Sequence, residues 1–524
     1  MRVNEKSFKK FLYDNWLTML IALQPLLDIL AFWTQNERGT AAGVIRLIIM
    51  IVVPIVMLIK LKGKRRLKLF IAFVVIGVFC LLHILNGIRV GNYVLVADLA
   101  SMARVAQMPV LALCFMAYIV DESRAAQVER GLYIAAGILL LSLVLSHVTH
   151  TAVPTYSLSG IGISGWVIAM NGNNASIILT VLVLFSVLST LKEKPLYLTI
   201  ILIIGGAIFL IANGTKACYL SLLLMCVCGT AMLILTWLCG SRGQLKRDII
   251  VAATLIIVAV LSVALYRYTP MAAERSNIYY SKVVHESYYE TKYPTVYEEK
   301  NREAESDKSA EEKQNQQSKH PTVDEDKDPE VKPGNGKSAD WNEYMNELYA
   351  DYIPEDMRQH FGLERIMQAY EYTDDISILM DYRQLKRAFA KIVWDETDTI
   401  TKLVGFQFYA MNASPGNTYD LENDWAALWY YYGYLGFALY AGFFAYVLFA
   451  ALRRLVLDFR GAVNMRNMIF AMLFVLQLGL AQFSGAELRR PNVSIYLALT
   501  AAMLYYINVT DFRKKRKASL EEGI

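Results

Sequence analysis

The feature that most limits what this chain can fold into is a recurring run of about twenty apolar residues. Twelve such runs stand at about 15–33, 42–60, 69–86, 99–120, 131–149, 169–191, 196–213, 218–239, 249–268, 425–451, 467–485 and 492–510. Each is long enough to cross roughly 30 Å of hydrocarbon as a helix. Within hydrocarbon, a chain satisfies its backbone polar groups only in helices or closed barrels. The expected fold is therefore all-α, a polytopic transmembrane helix bundle of about twelve spans. The fourth and sixth runs are the weakest as spans, since both carry polar residues. With 55% hydrophobic and only 19% charged residues, an ordinary soluble protein is excluded. All six cysteines (Cys80, Cys114, Cys218, Cys226, Cys228 and Cys239) fall in or beside apolar runs, with neither zinc-site spacing nor a disulfide framework. The basic opening "MRVNEKSFKKFLYDNW" precedes a helix without a small-residue cleavage site, so it is expected to lead into a retained first span.

Charge sets the expected orientation. With the N-terminus in the cytoplasm, the cytoplasmic pieces are "MRVNEKSFKK", "KLKGKRRLK", "DESRAAQVER", "LKEK", "SRGQLKRD", "LRRLVLDFRGAVNMRN" and "DFRKKRK". They hold most of the Lys and Arg of the short loops and tails, as the positive-inside rule requires. The opposite short loops carry few, among them Arg38, Arg89, Lys216, Arg489 and Arg490. Both termini are thus expected in the cytoplasm. The net charge of +5 is a topology signal, and no nucleic-acid partner is expected.

The expected layout is nine spans over 1–268, an extracytoplasmic loop over 269–424, three spans over 425–510 and a basic cytoplasmic tail over 511–524. Within the loop, 298–340 lacks Leu, Ile, Phe and Trp and is expected to be a disordered insertion. From 341 to 401 the pattern is helical. Leu385, Phe389, Ile392 and Val393 share one face and Arg383, Arg387 and Lys391 another, which suggests a helical cap.

Ionisable groups inside a bilayer are costly and demand a reason. Asp28, Arg46 and Arg104 lie in spans one, two and four, with Pro25 and Pro109 nearby. Either Asp28 pairs with a basic residue to join helices, or Arg46 and Arg104 face a cavity and bind an anionic head group, for which the guanidinium fork is well suited. Asn171, Asn173 and Asn174 open span six, as helix caps or as a polar cavity lining. Asn213 and Gly214 form a turn before Lys216, which either snorkels or holds a phosphate. The stretch "GNTYDLENDWAALWYYYGYLGFALY" places Asp420, Glu422 and Asp424 at the entrance to a span. Helix capping accounts for Asp424 and suits Glu422 less well.

Three segments carry a family resemblance. "ANGTKACYLSLL" is similar to the "T-x-S-R" segment of the O-antigen ligase and polymerase superfamily, with Lys216 where that family has Arg. "SGWVIAMNGNNAS" resembles its "F-x-N-x-N" segment. "ENDWAALWYYYGYLG" resembles its "H-N-x-x-L-x-x-x-x-x-x-G-x-x-G" re-entry motif, with Asn423, Gly433 and Gly436 kept, Glu422 in place of His and Ala426 in place of Leu. Upstream, "DYRQLKRAF" and "KLVGFQF" are similar to its Arg-bearing helix and "G-x-G", of which only Gly405 remains.

The resemblance implies glycan transfer on the outer face of a bacterial inner or plasma membrane. The implied donor is a polyprenyl-pyrophosphate-linked glycan. The acceptor is a hydroxyl on a glycan, lipid or cell-wall anchor, and polysaccharide assembly proteins are possible partners. Glu422 and Asp424 are the candidate bases. Arg46, Arg104, Lys216, Arg383 and Arg387 are the candidate pyrophosphate ligands, which leaves no need for a metal or cofactor. Asn171, Asn173, Asn174, Asn423 and Trp425 are candidate glycan or lipid contacts. Twelve spans also fit a lipid-linked oligosaccharide flippase, and the Glu and Lys replacements also fit a non-catalytic component of a glycan assembly machine.

Overall fold

The computed structural model describes residues 14–34, 40–91, 94–156, 159–167, 172–239, 244–302, 339–411, 419–485 and 487–522. Their regular structure is helical, joined by turns and loops, apart from one isolated bridge between Tyr156 and Ile161. The chain divides into two units. One comprises Met1–Arg275, Thr397–Ala410 and Leu421–Ile524, the other Ser276–Glu396 and Met411–Asp420.

The first unit opens with α1 (Trp16–Trp33), α2 (Thr40–Lys60), α3 (Gly63–Arg89), α4 (Leu95–Tyr118) and α5 (Glu122–Val148). It continues through α6 (Gly172–Leu188), α7 (Leu196–Asn213), α8 (Lys216–Leu238) and α9 (Leu245–Ala264). Eleven described helices are long and apolar enough to cross a membrane. The exception among the twelve expected spans is α6, whose 17 residues rise only about 25 Å. It lies buried on nearly every side.

Chain order along the second unit is α10 (Pro270–Lys292), whose first turn still belongs to the first unit, α11 (294–302), α12 (Ala339–Tyr352), α13 (Glu355–Phe361), α14 (Leu363–Ala369), α15 (Ile376–Leu379) and α16 (Tyr382–Glu396). Its core is aromatic. Tyr289, Tyr344, Tyr349 and Phe389 are fully buried, and the Tyr349 hydroxyl donates to the Thr373 carbonyl (2.9 Å). On α16, Leu385, Phe389 and Ile392 are buried while Arg383, Arg387 and Lys391 are exposed, the division that the periodicity predicts. Most of the expected insertion, 303–338, lies outside the described residues. Its described ends, 298–302 and 339–340, are helical, because they extend helices whose apolar faces hold Val296, Tyr344 and Leu348.

The chain then returns to the first unit through α17 (Thr399–Val404), α18 (Asp424–Leu457), α19 (Phe459–Ala462), α20 (Met465–Phe483), α21 (Pro491–Tyr505) and α22 (Phe512–Glu522). Helix α21 is the centre of the bundle. It has no charged residue, and Ser494, Ala498, Ala501 and Ala502 let neighbours approach closely. Pro491 at its start has no N–H to lose, and its carbonyl accepts from the Gln107 side chain of α4 (2.9 Å). Gln477 of α20 donates to Thr500 (3.0 Å). Along another seam α1 packs on α5, where Gly131 leaves room for Ile21.

Asp28 takes the helix-joining alternative. Its Oδ1 lies 2.7 Å from an Arg46 terminal nitrogen, and Arg46 also donates to the carbonyl (3.3 Å) and side-chain oxygen (3.4 Å) of Gln24. Both charged residues are buried, so removing one leaves the other uncompensated. Asp28→Ala should destabilise the protein by about 3–5 kcal/mol, read as a lower unfolding temperature in detergent. An unchanged temperature would show that the pair does not join the helices.

Candidate functional site

Glycine dictates the local geometry here. Gly433 interrupts α18 with φ 64° and ψ −172°, dividing it into an entry helix, 424–432, and a long membrane helix. Gly405, with φ 89°, ends α17 and lies against the same break. A Cβ on Gly433 would stand 2.4 Å from the Gly405 nitrogen, and one on Gly405 would stand 2.1 Å from the Tyr431 carbonyl oxygen. The two backbones therefore touch where side chains cannot fit. The break frees backbone acceptors, and the Phe406 N–H donates to one of them, the Tyr430 carbonyl (3.2 Å). A Cβ on Gly436 would meet the Phe79 ring at 2.7 Å, so this third glycine brings α18 against α3.

The segment 397–410 is held by three polar residues spaced along α3. His83 Nδ1 meets the Val404 carbonyl (2.9 Å) and Nε2 the Gln407 side-chain amide (3.0 Å). Since a carbonyl only accepts, Nδ1 carries a proton. Asn86 donates to Thr401 and to the Gly405 carbonyl, both at 3.2 Å. Arg89 pairs with Asp398 (2.6 Å). That bond and the Thr401 N–H hold the Asp398 carboxyl well below the usual aspartate range. No motif announces this docking. Its signal is three polar side chains spaced along one apolar run.

The carboxylate stretch meets the loop between α20 and α21. Asp424 is fully buried, 2.9 Å from Arg489 Nε, and its other oxygen accepts from the Leu488 N–H (2.8 Å). Arg489 also donates to the Leu421 carbonyl, and Leu421 N–H donates to the Tyr431 hydroxyl (3.0 Å). The helix cap is Asn423, not Asp424. The Asn423 side chain accepts from the Ala426 N–H (3.0 Å). Glu422 is half-buried at the same turn, and a Cβ on Gly485 would stand 2.8 Å from its Cα. Trp425 points into the bundle, where its ring N–H donates to the Leu478 carbonyl (3.1 Å) and its face meets Phe437 and Phe444. Glu487 is also fully buried, and neither carboxyl oxygen has a hydrogen-bond partner among the described residues. Burial, and then the Asp424 charge, push it well above the usual glutamate range.

The other expected ligands are spread out. Arg104 on α4 and Lys216 at the start of α8 are exposed, and neither makes a hydrogen bond or ion pair with a described residue. Arg46 is engaged by Asp28 and Gln24. Arg387 is exposed on the second unit without a described partner, whereas Arg383 has one. Asn171 lies outside the described residues. Asn173 and Asn174 are half-buried at the start of α6, and Asn174 Oδ1 has no hydrogen-bond partner among the described residues. Asn213 is buried, accepting from Ser176 (3.0 Å) and Thr215 (2.8 Å) beneath the left-handed turn at Gly214.

Between α3, α4 and α18 lies an apolar cavity of about 220 Å³. Its walls include Ile76 and Phe79 of α3, Val105 and Pro109 of α4, and Tyr432 and Phe443 of α18. Pro109 lacks the N–H that would serve the Val105 carbonyl, and the Tyr440 hydroxyl serves it instead. Nothing in sequence spacing reveals this cavity, because α18 lies about three hundred residues beyond the consecutive helices α3 and α4.

Two predictions follow from this geometry. Gly405→Ala and Gly433→Ala should each cost at least the 1–2 kcal/mol or so of a left-handed residue, because backbone clash adds to it. Gly442→Ala, with nothing within 4 Å, should stay within about 0.5 kcal/mol. Equal unfolding temperatures for all three would refute the docking. The second concerns Glu487. The folded chain holds its proton more tightly than the unfolded chain, whose glutamate pKa is about 4.3. The associated stability is complete below that value and is lost as pH rises through the folded value. Glu487→Gln should flatten that alkaline decline at little cost in neutral stability, while Asp424→Asn should be strongly destabilising. Indistinguishable pH–stability curves for wild type and Glu487→Gln would contradict the assignment.

No curated protein matches this sequence significantly. The sequence profile described as "O-antigen ligase like membrane protein" matches residues 9–510, nearly the whole chain. The glycine pair, the carboxylate entry and the multi-span helical bundle are thus parts of one matched unit, and the chain belongs to the O-antigen ligase like family of membrane proteins.

Proposed function

We propose that this chain transfers a saccharide from a polyprenyl pyrophosphate to an acceptor hydroxyl at the outer face of a bacterial inner or plasma membrane, with both termini cytoplasmic. The observation that carries the reading is the apolar cavity itself. Tyr432 lines it, next to the Tyr430 carbonyl that accepts from segment 397–410, and its wall residue Val105 adjoins Arg104, which has no hydrogen bond or ion pair with a described residue. An isoprenoid tail suits such walls, and a pyrophosphate suits a guanidinium that has no carboxylate partner.

In the proposed step the acceptor oxygen attacks the anomeric carbon and forms a new C–O bond. The C–O bond to pyrophosphate breaks, and the prenyl pyrophosphate leaves with the bonding pair. The hydroxyl proton passes to Glu422, the candidate base at the turn. Asp424 acts as a positioning residue, since its carboxylate is taken up by Arg489 and Leu488. Arg104 and Lys216 are the candidate cations for the departing charge. The acceptor is a glycan, lipid or wall hydroxyl, so the activity is that of a polymerase or a ligase.

Glu422→Gln keeps size and polarity but offers no basic carboxylate. Transfer from lipid-linked glycan should fall about 10²–10⁴-fold with protein level unchanged. Arg104→Ala and Lys216→Ala should reduce transfer, and Lys216→Arg should restore it. Full activity in Glu422→Gln would remove it as the base. Normal lipid-linked and polymerised glycans in a deletion strain would refute the transfer reading itself.

A further inference from the structure

We propose that Asp98 is a specificity-determining residue, whose buried Oδ1 accepts a hydrogen bond from a hydroxyl or amide N–H of the sugar joined to a lipid in the α3–α4–α18 cavity. The inference rests on the transfer reading above and adds to it which part of the donor is recognised.

The placement follows from helix periodicity. Asp98, Ser101, Val105 and Pro109 occupy one stripe of α4, at i, i+3, i+7 and i+11. Val105 and Pro109 line the cavity, and the Ser101 hydroxyl is bonded to that of the cavity residue Tyr432 (3.1 Å). Asp98 therefore stands on the same stripe, one turn beyond Ser101 and about two turns beyond the wall residue Val105. On α3, Phe79 lines the cavity and His83 follows one turn later, their ring centres 6.4 Å apart. The His83 ring centre is 5.6 Å from that of Tyr432. Ser101, His83 and Tyr432 thus form a polar collar at one end of an apolar space, and Asp98 follows one turn further along α4.

Within that collar the other polar atoms have partners. Both His83 nitrogens are engaged by Val404 and Gln407, and the Ser101 and Tyr432 hydroxyls by each other. Asp98 is fully buried, and its Oδ2 accepts from the Val94 N–H (2.9 Å), which holds the first turn of α4. Oδ1 is also buried and has no partner among the described residues. Capping α4 requires only one oxygen. A second carboxylate oxygen, desolvated and unmatched at the polar end of an apolar cavity, is a vacant acceptor.

The chemistry of the missing partner is restricted. An ionised carboxylate only accepts hydrogen bonds, and it repels phosphate. The group that meets Asp98 must therefore be a donor, such as a sugar hydroxyl or amide N–H. Arg104 lies six residues further on, about 120° around the helix at 100° per residue, and is exposed. One helix thus offers a cation suited to pyrophosphate and, on another face, an acceptor suited to sugar. This arrangement favours a glycosylated carrier over the bare carrier.

The test measures binding to the purified full-length chain in nanodiscs. The probes are bare polyprenyl pyrophosphate and the same lipid bearing N-acetylglucosamine, glucose or galactose. Wild type should bind at least one glycosylated lipid about tenfold more tightly than the bare one. Asp98→Asn keeps an acceptor for Val94 but replaces the other oxygen with a donor. It should lose that preference, bind bare lipid like wild type and unfold at the wild-type temperature. Should Asp98→Asn fail to fold, Asp98→Ser, whose hydroxyl still caps a helix, should show the same selective loss. A retained preference in either variant overturns the proposal. So does equal weakening toward bare and glycosylated lipid, which would mark Asp98 as a helix cap alone. Equal wild-type affinity for all four lipids overturns this inference and leaves the transfer reading standing. Wild-type binding to none of them defeats both.

Discussion

The structure of the candidate site depends on one close backbone approach, Gly405 against Gly433. At this approach no Cβ could be accommodated on either residue, and each glycine has a positive φ that other residues adopt at a cost. A broken helix near hydrocarbon is tolerable only when its freed backbone groups find partners. Here the incoming segment supplies one through Phe406. The break in turn sets the direction of the entry helix, and with it the positions of Asn423, Asp424 and Glu422. The same glycine spacing that resembles a family motif is thus required by packing, whatever chemistry the neighbouring residues perform.

Around that approach the polar residues divide into those that hold and those that remain available. Asp28–Arg46, Arg89–Asp398 and Asp424–Arg489 are ion pairs within the first unit. Each joins two different elements, and in the Arg46 and Arg489 pairs the partners are nearly sealed from solvent. Arg104 and Lys216 are the contrasting case, since they are exposed with no described partner. A cation reserved for a substrate phosphate needs that freedom, whereas a cation already opposite a carboxylate would have to exchange one anion for another.

Several of these pairings left a faint trace in the sequence. The positive-inside pattern had exceptions, among them Arg89 and Arg489, and each sits opposite a carboxylate in the fold. Lys216, another of these exceptions, has no described partner. The expectation that Asp424 caps its helix was displaced by one residue. Asn423 performs that task, which leaves the Asp424 carboxylate to bind Arg489 and Leu488. Asp98 and Glu487 are lone polar residues in or beside apolar runs with no spacing to read, and the regular spacing of His83, Asn86 and Arg89 does not say what docks on it.

Apolar run length and charge asymmetry determined the class of fold and the expected positions of the helices, because hydrocarbon thickness and backbone hydrogen bonding admit few solutions. Eleven of the twelve expected spans are full-length helices, and the sixth, the short α6, differs by being enclosed within protein. The two faces of α16 were equally legible, since a 3.6-residue period is written in the chain itself. Only the tertiary structure decided that α3, α4 and α18 enclose a cavity, that segment 397–410 docks on His83, Asn86 and Arg89, and that Asp424 is bound while Arg104 is not. These facts depend on contacts between residues up to several hundred positions apart, and local sequence carries no information about which distant face a side chain will meet.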